Sequence, residues 1–355
     1  MIFNFFHNFS LKLPEFGIGL LAAEDFSWDS LSRGAESLYR DLTGQAGPDG
    51  TLEIILVAVL PIFLLIFLGF LAKARRFPGE GFWEPAERLI YFALLPALLV
   101  TTLADADLSG LNAPAMAGAI AAATVAMTLL LLALQPLLGL TGPAFTSLYQ
   151  GSVRQNTYIG LAIAVGVFGA TGLAAAAVAV AVIVPLTNLL AVVLHAHFAR
   201  TSRSGIVALF KLIALNPMIL ACLAGIALNV TGIGLPPVVR ELLEIMARAA
   251  LPLGLLAVGA GLDLAAARRG GRAVALAVVL KLAVLPALTA AGCWAFEVTG
   301  VAAFTAILFN GIPTAASTYI LARQMGGDAK LMASIITLQV IASALTLPII
   351  LTILV

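Results

Sequence analysis

Residues 151–166 read GSVRQNTYIGLAIAVG and residues 310–327 read NGIPTAASTYILARQMGG, and each stretch interrupts a long apolar segment. The tripeptide Thr-Tyr-Ile occurs in both, at 157–159 and again at 318–320. Polar residues break the first segment near its middle, and Pro313 breaks the second. Irregular backbone at membrane depth is tolerated only where protein buries it or where it lines a watery cavity. The two stretches therefore predict broken helices that converge on one site.

The composition indicates a membrane protein. The chain has 355 residues, of which 61% are hydrophobic and only 10% are charged, whereas a soluble domain carries about 25% charged residues. A net charge of +1 gives no reason to expect nucleic acid as a partner. Cys222 and Cys293 stand alone in apolar stretches, and the sequence has neither a Walker phosphate loop nor an HExxH motif. We therefore expect no cofactor, no metal site and no enzymatic activity.

From residue 51 onward the apolar segments predict an all-α polytopic protein with about ten transmembrane helices. A membrane-spanning helix needs roughly 20 apolar residues. The predicted spans are 52–72, 86–104, 113–138, 143–169, 172–198, 206–229, 237–262, 272–295, 301–326 and 330–354. Residues 1–50 are mixed in composition and lack the basic start of a signal peptide, so they predict an extramembrane N-terminal tail.

Basic residues in the links predict the orientation in the cytoplasmic (inner) membrane. They follow the first, fifth and seventh spans, whereas the alternate links hold acidic residues such as Asp105. The positive-inside rule places the basic links in the cytoplasm and both termini outside. Ten spans divide into one five-helix repeat over 51–199 and another over 206–355, joined by a short cytoplasmic link at 200–205. An odd number of helices per repeat predicts an inverted 5+5 repeat.

Arg154, Asn156 and Thr157 are the candidate binding residues of the first break, in span four. An arginine at the bilayer centre costs about 3 kcal/mol or more, which makes it a functional candidate by default. Its planar guanidinium suits a carboxylate, although it could instead reach the interface or pair with a carbonyl group. Asn156 could contact a substrate or join two helices by hydrogen bonds.

In the second break, in span nine, the candidates are Asn310, Pro313 and Ser317. Proline removes a helical hydrogen bond and allows the chain to unwind there. Ser317 lies in the first turn of the predicted half-helix, whose N-terminus attracts anions.

Three further polar residues lie inside predicted spans. Lys281 is close to the middle of span eight, far from either interface, and could neutralise a substrate, titrate, or form a structural pair. Asn188 in span five and Gln339 in span ten could line the cavity near the breaks or pack between helices.

Several stretches of the chain resemble the auxin efflux carrier family of membrane transporters. They are VLPIFLLIFLGFLA at 59–72, NTYIGLA at 156–162, IPTAASTYILARQMGGDA at 312–329 and LQVIASALTLPII at 338–350. The resemblance covers residues 52–354 and implies a 5+5 inverted repeat in which the broken helices of spans four and nine cross. It also implies that spans one, two, six and seven form a scaffold, and that the other spans form a transport unit.

Bacterial members of that family are often assigned to malonate, malate or related carboxylates, and plant members export the auxin anion. This chain has only ARTSRSG after span five, where plant members carry a long loop, and its first break lacks a proline. Both departures argue against auxin as the substrate.

The sequence thus predicts a secondary transporter that moves a small organic anion, a mono- or dicarboxylate, across the lipid bilayer by alternating access. The sequence leaves open whether a proton or a sodium ion is the coupling ion, and whether the protein forms a homodimer. Three alternatives are a sodium-coupled symporter of the bile-acid symporter architecture, an anion channel, and a membrane sensor or assembly subunit without transport.

Overall fold

The computed structural model describes residues 48–79, 81–106, 111–198, 215–268 and 271–354, and in these ranges the secondary structure is helical. In chain order the helices are α1 (Pro48–Ala74), α2 (Trp83–Asp105), α3 (Ala113–Leu138), α4 (Gly142–Val153), α5 (Thr157–Phe198), α6 (Pro217–Thr231), α7 (Pro237–Ala260), α8 (Leu264–Ala267), α9 (Arg272–Ala295), α10 (Gly300–Gly311), α11 (Ser317–Gln324) and α12 (Ala329–Leu354). The predicted all-α class is confirmed. Nearly all of the predicted N-terminal tail and the predicted link at 200–205 lie outside the described residues.

Six helical stretches of the described chain are long and apolar enough to cross a membrane. They are Trp83–Asp105, Ala113–Leu138, Gly142–Phe198, Pro237–Ala260, Arg272–Ala295 and Ala329–Thr352. Three shorter apolar helices accompany them, at Val59–Ala74, Pro217–Thr231 and Gly300–Gly311. The chain is an integral membrane protein, while the ten spans and the inverted repeat stay predictions.

Two glycines end or bend helices at the points that the sequence indicates. Helix α3 begins after Asn112, whose side-chain oxygen accepts the N–H of Ala115 at 3.3 Å. It ends at Gly139, whose φ of 60° is a left-handed conformation that glycine adopts without steric cost. Gly169 interrupts α5 with φ 55° and ψ −135°, at the last residue of the predicted span 143–169.

Helices α2 and α9 each contain one wider, π-type turn, at Ile90–Leu94 and Leu280–Val284. Each of these turns is followed by a Leu-Pro pair, with Pro96 in α2 and Pro286 in α9. Proline cannot donate to the carbonyl group one turn earlier, so the preceding turn is free to widen.

The helices pack as two groups. Helices α1, α2, α6 and α7 pack against one another, and α3, α4, α5, α9, α10 and α12 form the second group. The first group is held at close range where α1 crosses α7, because a Cβ atom at Gly69 would lie 2.0 Å from the Leu256 carbonyl oxygen. A Cβ atom at Gly259 would lie 1.7 Å from the carbonyl oxygen of Ile66. Only glycine allows this backbone approach, as in other membrane helix pairs.

Candidate functional site

The two broken stretches touch each other in the second group of helices. Helix α4 ends at Val153 and α5 begins at Thr157, while α10 ends at Gly311 and α11 begins at Ser317. The N–H of Asn156 donates to the Pro313 carbonyl at 2.8 Å, which joins the two breaks directly. The Thr314 hydroxyl donates to the Gly151 carbonyl at 2.8 Å. Backbone groups released by one break are therefore satisfied by the other.

Gln339 on α12 forms hydrogen bonds with backbone groups at both breaks. Its Oε1 accepts the N–H of Thr314 at 2.9 Å, and its Nε2 donates to the carbonyl groups of Gly151 at 2.8 Å and Ala277 at 3.0 Å. The side chain is fully buried. The position is thus suited to fixing the geometry of the crossing.

Asn156 caps the helix that follows it. Its side-chain oxygen accepts the N–H groups of Tyr158 at 3.1 Å and Ile159 at 3.4 Å, as an N-cap residue does. Its Nδ2 is buried and without a hydrogen-bond partner among the described residues.

A cavity of about 70 Å³ lies beside the crossing, between the two groups of helices. Its polar lining consists of Tyr91, Arg154, Gln155, Thr157, Tyr158, Thr187, Asn188 and Ser317. Arg154 donates from Nη1 to the side-chain oxygen of Asn188 at 2.8 Å. The structure therefore brings together four of the predicted site residues, Arg154, Thr157, Asn188 and Ser317.

Other predicted residues lie away from this cavity. Asn310 is buried at the end of α10, where its amide nitrogen donates to the Thr289 hydroxyl at 2.8 Å. Pro313 is buried and contributes its carbonyl group to the crossing. Lys281 is fully buried in the π-type turn of α9, and within the described part of the chain its Nζ has no hydrogen-bond partner.

Replacing Lys281 tests whether its charge stabilises the fold. An unpaired buried ammonium group loses hydration without compensation, so Lys281→Met, which keeps the length and removes the charge, should raise the thermal unfolding temperature in detergent by several degrees. Thr289→Val, which removes a buried hydroxyl that is hydrogen-bonded, should lower it. A lower unfolding temperature for Lys281→Met would reveal a stabilising partner for the ammonium group.

Two wider cavities, of about 550 and 710 Å³, lie on one side of the crossing. Both are lined by Glu87, Gly261, Tyr319 and Ile320. The second also reaches Lys73, at the end of α1, so they open towards the basic ends of the helices. Towards the opposite ends, a cavity of about 220 Å³ lies between Leu98 and Glu244 of the first group and Val165 and Leu173 of α5. The larger of these cavities are therefore on the basic side.

Tyr91 is a lining residue that the sequence analysis did not single out. Its hydroxyl accepts a hydrogen bond from Asn216 Nδ2 at 3.2 Å, which ties it to the start of α6. The one available signal is its position one turn after Glu87, where the charged start of α2 meets the apolar part of the helix. Within the described chain, no group of three or more His, Cys, Asp or Glu residues could hold a metal ion.

Comparison with known proteins shows what this chain is similar to. A family model described as "Membrane transport protein" matches residues 199–351. An "Uncharacterized transporter" from Methanothermobacter thermautotrophicus is 24% identical over 294 residues, which cover 82% of this chain and 95% of that protein. A "Putative malonate transporter" from Rhizobium meliloti is 29% identical over 289 residues, which cover 76% of this chain and 86% of that protein. These matches confirm the predicted resemblance and support a transporter.

Proposed function

We propose that this relative of the auxin efflux carriers is a secondary transporter that carries a small carboxylate through the membrane by alternating access. The anion would bind in the 70 Å³ cavity beside the crossing. It would contact the guanidinium group of Arg154, with Thr157 and Ser317 as further hydrogen-bonding groups. Ten spans arranged as an inverted 5+5 repeat, with both termini outside the cytoplasmic membrane, belong to the same proposal.

The observation that carries the proposal is the environment of Arg154. Its hydrogen-bond partner is the neutral amide of Asn188, at 2.8 Å. The ion pairs of the described residues, Arg240–Asp105 and Arg248–Glu244, do not include it. A cation held between apolar helices without a carboxylate is costly, and an anionic substrate would supply the missing charge with two parallel hydrogen bonds.

The arrangement of the cavities supports alternating access. The central cavity has walls from both groups of helices, because Tyr91 and Met218 belong to the first group and Arg154 and Asn188 to the second. Wider cavities on the basic side and a narrower one on the other side follow the same boundary. Movement of the second group along the first would close one path and open the other while the crossing stays intact.

Uptake into proteoliposomes tests the proposal, and the name of the Rhizobium relative makes malonate the first carboxylate to use. We expect saturable uptake of labelled malonate, or of a related small carboxylate, and faster uptake when unlabelled carboxylate is inside. Absence of such counterflow, with a much faster flux, would indicate a channel. A requirement for sodium would favour the bile-acid symporter mechanism, and preference for neutral or cationic solutes would contradict anion transport.

A further inference from the structure

A buried histidine lies next to the proposed anion site. His195 on α5 is fully buried. Its Nδ1 lies 2.8 Å from the Ala191 carbonyl oxygen, and its Nε2 lies 3.1 Å from Nε2 of Gln150 on α4. The sequence analysis did not single out this residue.

These contacts indicate which nitrogen of the neutral ring carries the hydrogen. A carbonyl oxygen only accepts hydrogen bonds, so Nδ1 carries a hydrogen and donates to Ala191. Nε2 of the neutral ring then carries a lone pair, and the Gln150 amide donates to it. The other amide atom, Gln150 Oε1, is buried without a partner among the described residues.

The same pair of side chains can also hold a proton. A half-turn of the Gln150 amide would place Oε1 against Nε2, where it could accept a hydrogen bond from a protonated ring. The two protonation states therefore differ by one amide rotation, and each has a hydrogen bond at both ring nitrogens. A buried histidine with a fixed donor or a hydrophobic partner at Nε2 would lack this second state.

The histidine pair and the anion site are neighbouring contacts: the first joins α4 to α5, and the second joins the residue directly after α4 to α5. Arg154 contacts Asn188, and one turn earlier on α4 Gln150 contacts His195. The N–H of Arg154 donates to the Gln150 carbonyl at 3.0 Å, which joins the two contacts through the backbone. The two contacts are separated by one to two turns of helix, which corresponds to roughly 6–10 Å along the helix axis.

Among the described residues, Arg154 is the charged group that acts on the imidazole. The end of α5 packs on α3, which has no ionisable side chain, and on α4, which contributes Tyr149 with its hydroxyl bonded to Thr128. Tyr91 is a further titratable residue, and it lines the central cavity beside α5. His197, on the same helix as His195, is exposed. The positive charge of Arg154 opposes a second positive charge at His195, and an anion bound to Arg154 would cancel that opposition.

We infer that His195 and Gln150 form a proton-binding site that is linked to anion binding at Arg154, so that one proton accompanies the carboxylate. This inference rests on the proposed function and adds the coupling ion to it. Linkage is reciprocal, so protonation of His195 must strengthen anion binding by the same factor as the anion strengthens protonation. Two charges at this separation in a partly polar interior give a factor on the order of 10.

The first experiment measures malonate affinity for the purified full chain between about pH 5 and about pH 8.5, with each value referred to the doubly charged form of malonate. We expect wild-type affinity to rise on the order of 10-fold as the pH falls. His195→Gln should bind malonate as the wild type does at the high end of the pH range, and its affinity should not depend on pH. His197→Gln is the matched control and should keep the wild-type dependence. Gln150→Met leaves the histidine but removes the acceptor for the protonated ring, so it should also remove the pH dependence of malonate affinity.

The second experiment needs no ligand to give a result. The chain has three histidines, so isotope-labelled imidazole signals can be assigned by comparison with the His195→Gln and His197→Gln variants. We expect the His195 signal to titrate, and malonate to shift that titration to higher pH. A ring that stays neutral with and without malonate would overturn the inference, as would pH dependence that survives in His195→Gln. Failure of every carboxylate to bind, at any pH, would instead overturn the proposed function.

Discussion

Arg154→Ala is expected to reduce carboxylate uptake on the order of 100-fold while the protein still inserts and folds. Removing one partner of a desolvated charge pair costs a few kcal/mol of binding, and removing an unpaired cation from the membrane interior does not itself destabilise the fold. Arg154→Lys keeps the charge but loses the planar fork that can form two parallel hydrogen bonds. We expect it to reduce uptake on the order of 10-fold.

Uptake of labelled malonate by proteoliposomes with matched amounts of protein measures both effects. Arg88→Ala is the control, because Arg88 is an exposed arginine on α2 that lines none of the cavities described above. It should transport at the wild-type rate. Wild-type rates in Arg154→Ala would show that this arginine is structural, and unfolding of Arg154→Lys would indicate that the Asn188 contact stabilises the fold.

Gln339→Glu is expected to be the most damaging single change to the crossing. A carboxylate can still accept the N–H of Thr314, but it cannot donate to the carbonyl groups of Gly151 and Ala277, which Gln339 Nε2 contacts at 2.8 and 3.0 Å. The Gly151 carbonyl keeps the hydrogen bond from the Thr314 hydroxyl and the Ala277 carbonyl keeps a helical one, so the main cost is the new negative charge, which is buried and faces two carbonyl oxygens. We expect a large loss of folded protein and no transport.

Thermal unfolding in detergent, followed by size-exclusion chromatography, measures this loss. Ser343→Ala is the control. Ser343 lies one turn further along α12, and the substitution removes a buried hydroxyl that donates to the Val340 carbonyl of the same helix at 2.8 Å. It should unfold within a few degrees of the wild type. A stable, active Gln339→Glu protein would mean that the crossing does not depend on this side chain.

The sequence predicted the breaks well because their signals are local. Proline, glycine and polar side chains in an apolar segment interrupt helical hydrogen bonds wherever the segment lies. The limits of α3 were likewise predictable, because Asn112 caps one end and Gly139 takes the left-handed conformation at the other.

The contacts between helices were not predictable in the same way. Asn188 and Gln339 looked equivalent in sequence, yet Asn188 reaches the cavity and Gln339 binds backbone groups. Helices that are apolar on every side carry no periodic signal for the face that meets a neighbour. For the same reason the pairing of Gln150 with His195, and the place of Tyr91 at the cavity, could be found only from the packing of α2, α4 and α5.

The unequal cavities on the two sides of the crossing have a pharmacological consequence. The central cavity of about 70 Å³ admits only a small molecule, whereas the cavities on the side of Lys73 and Arg323 measure about 550 and 710 Å³. On the access path proposed above, a bulky compound with one carboxylate would place that group near Arg154 while its body fills the cavity on the side of Lys73. It could not pass through, so it would block transport from that face of the membrane and leave the protein insensitive when applied to the other.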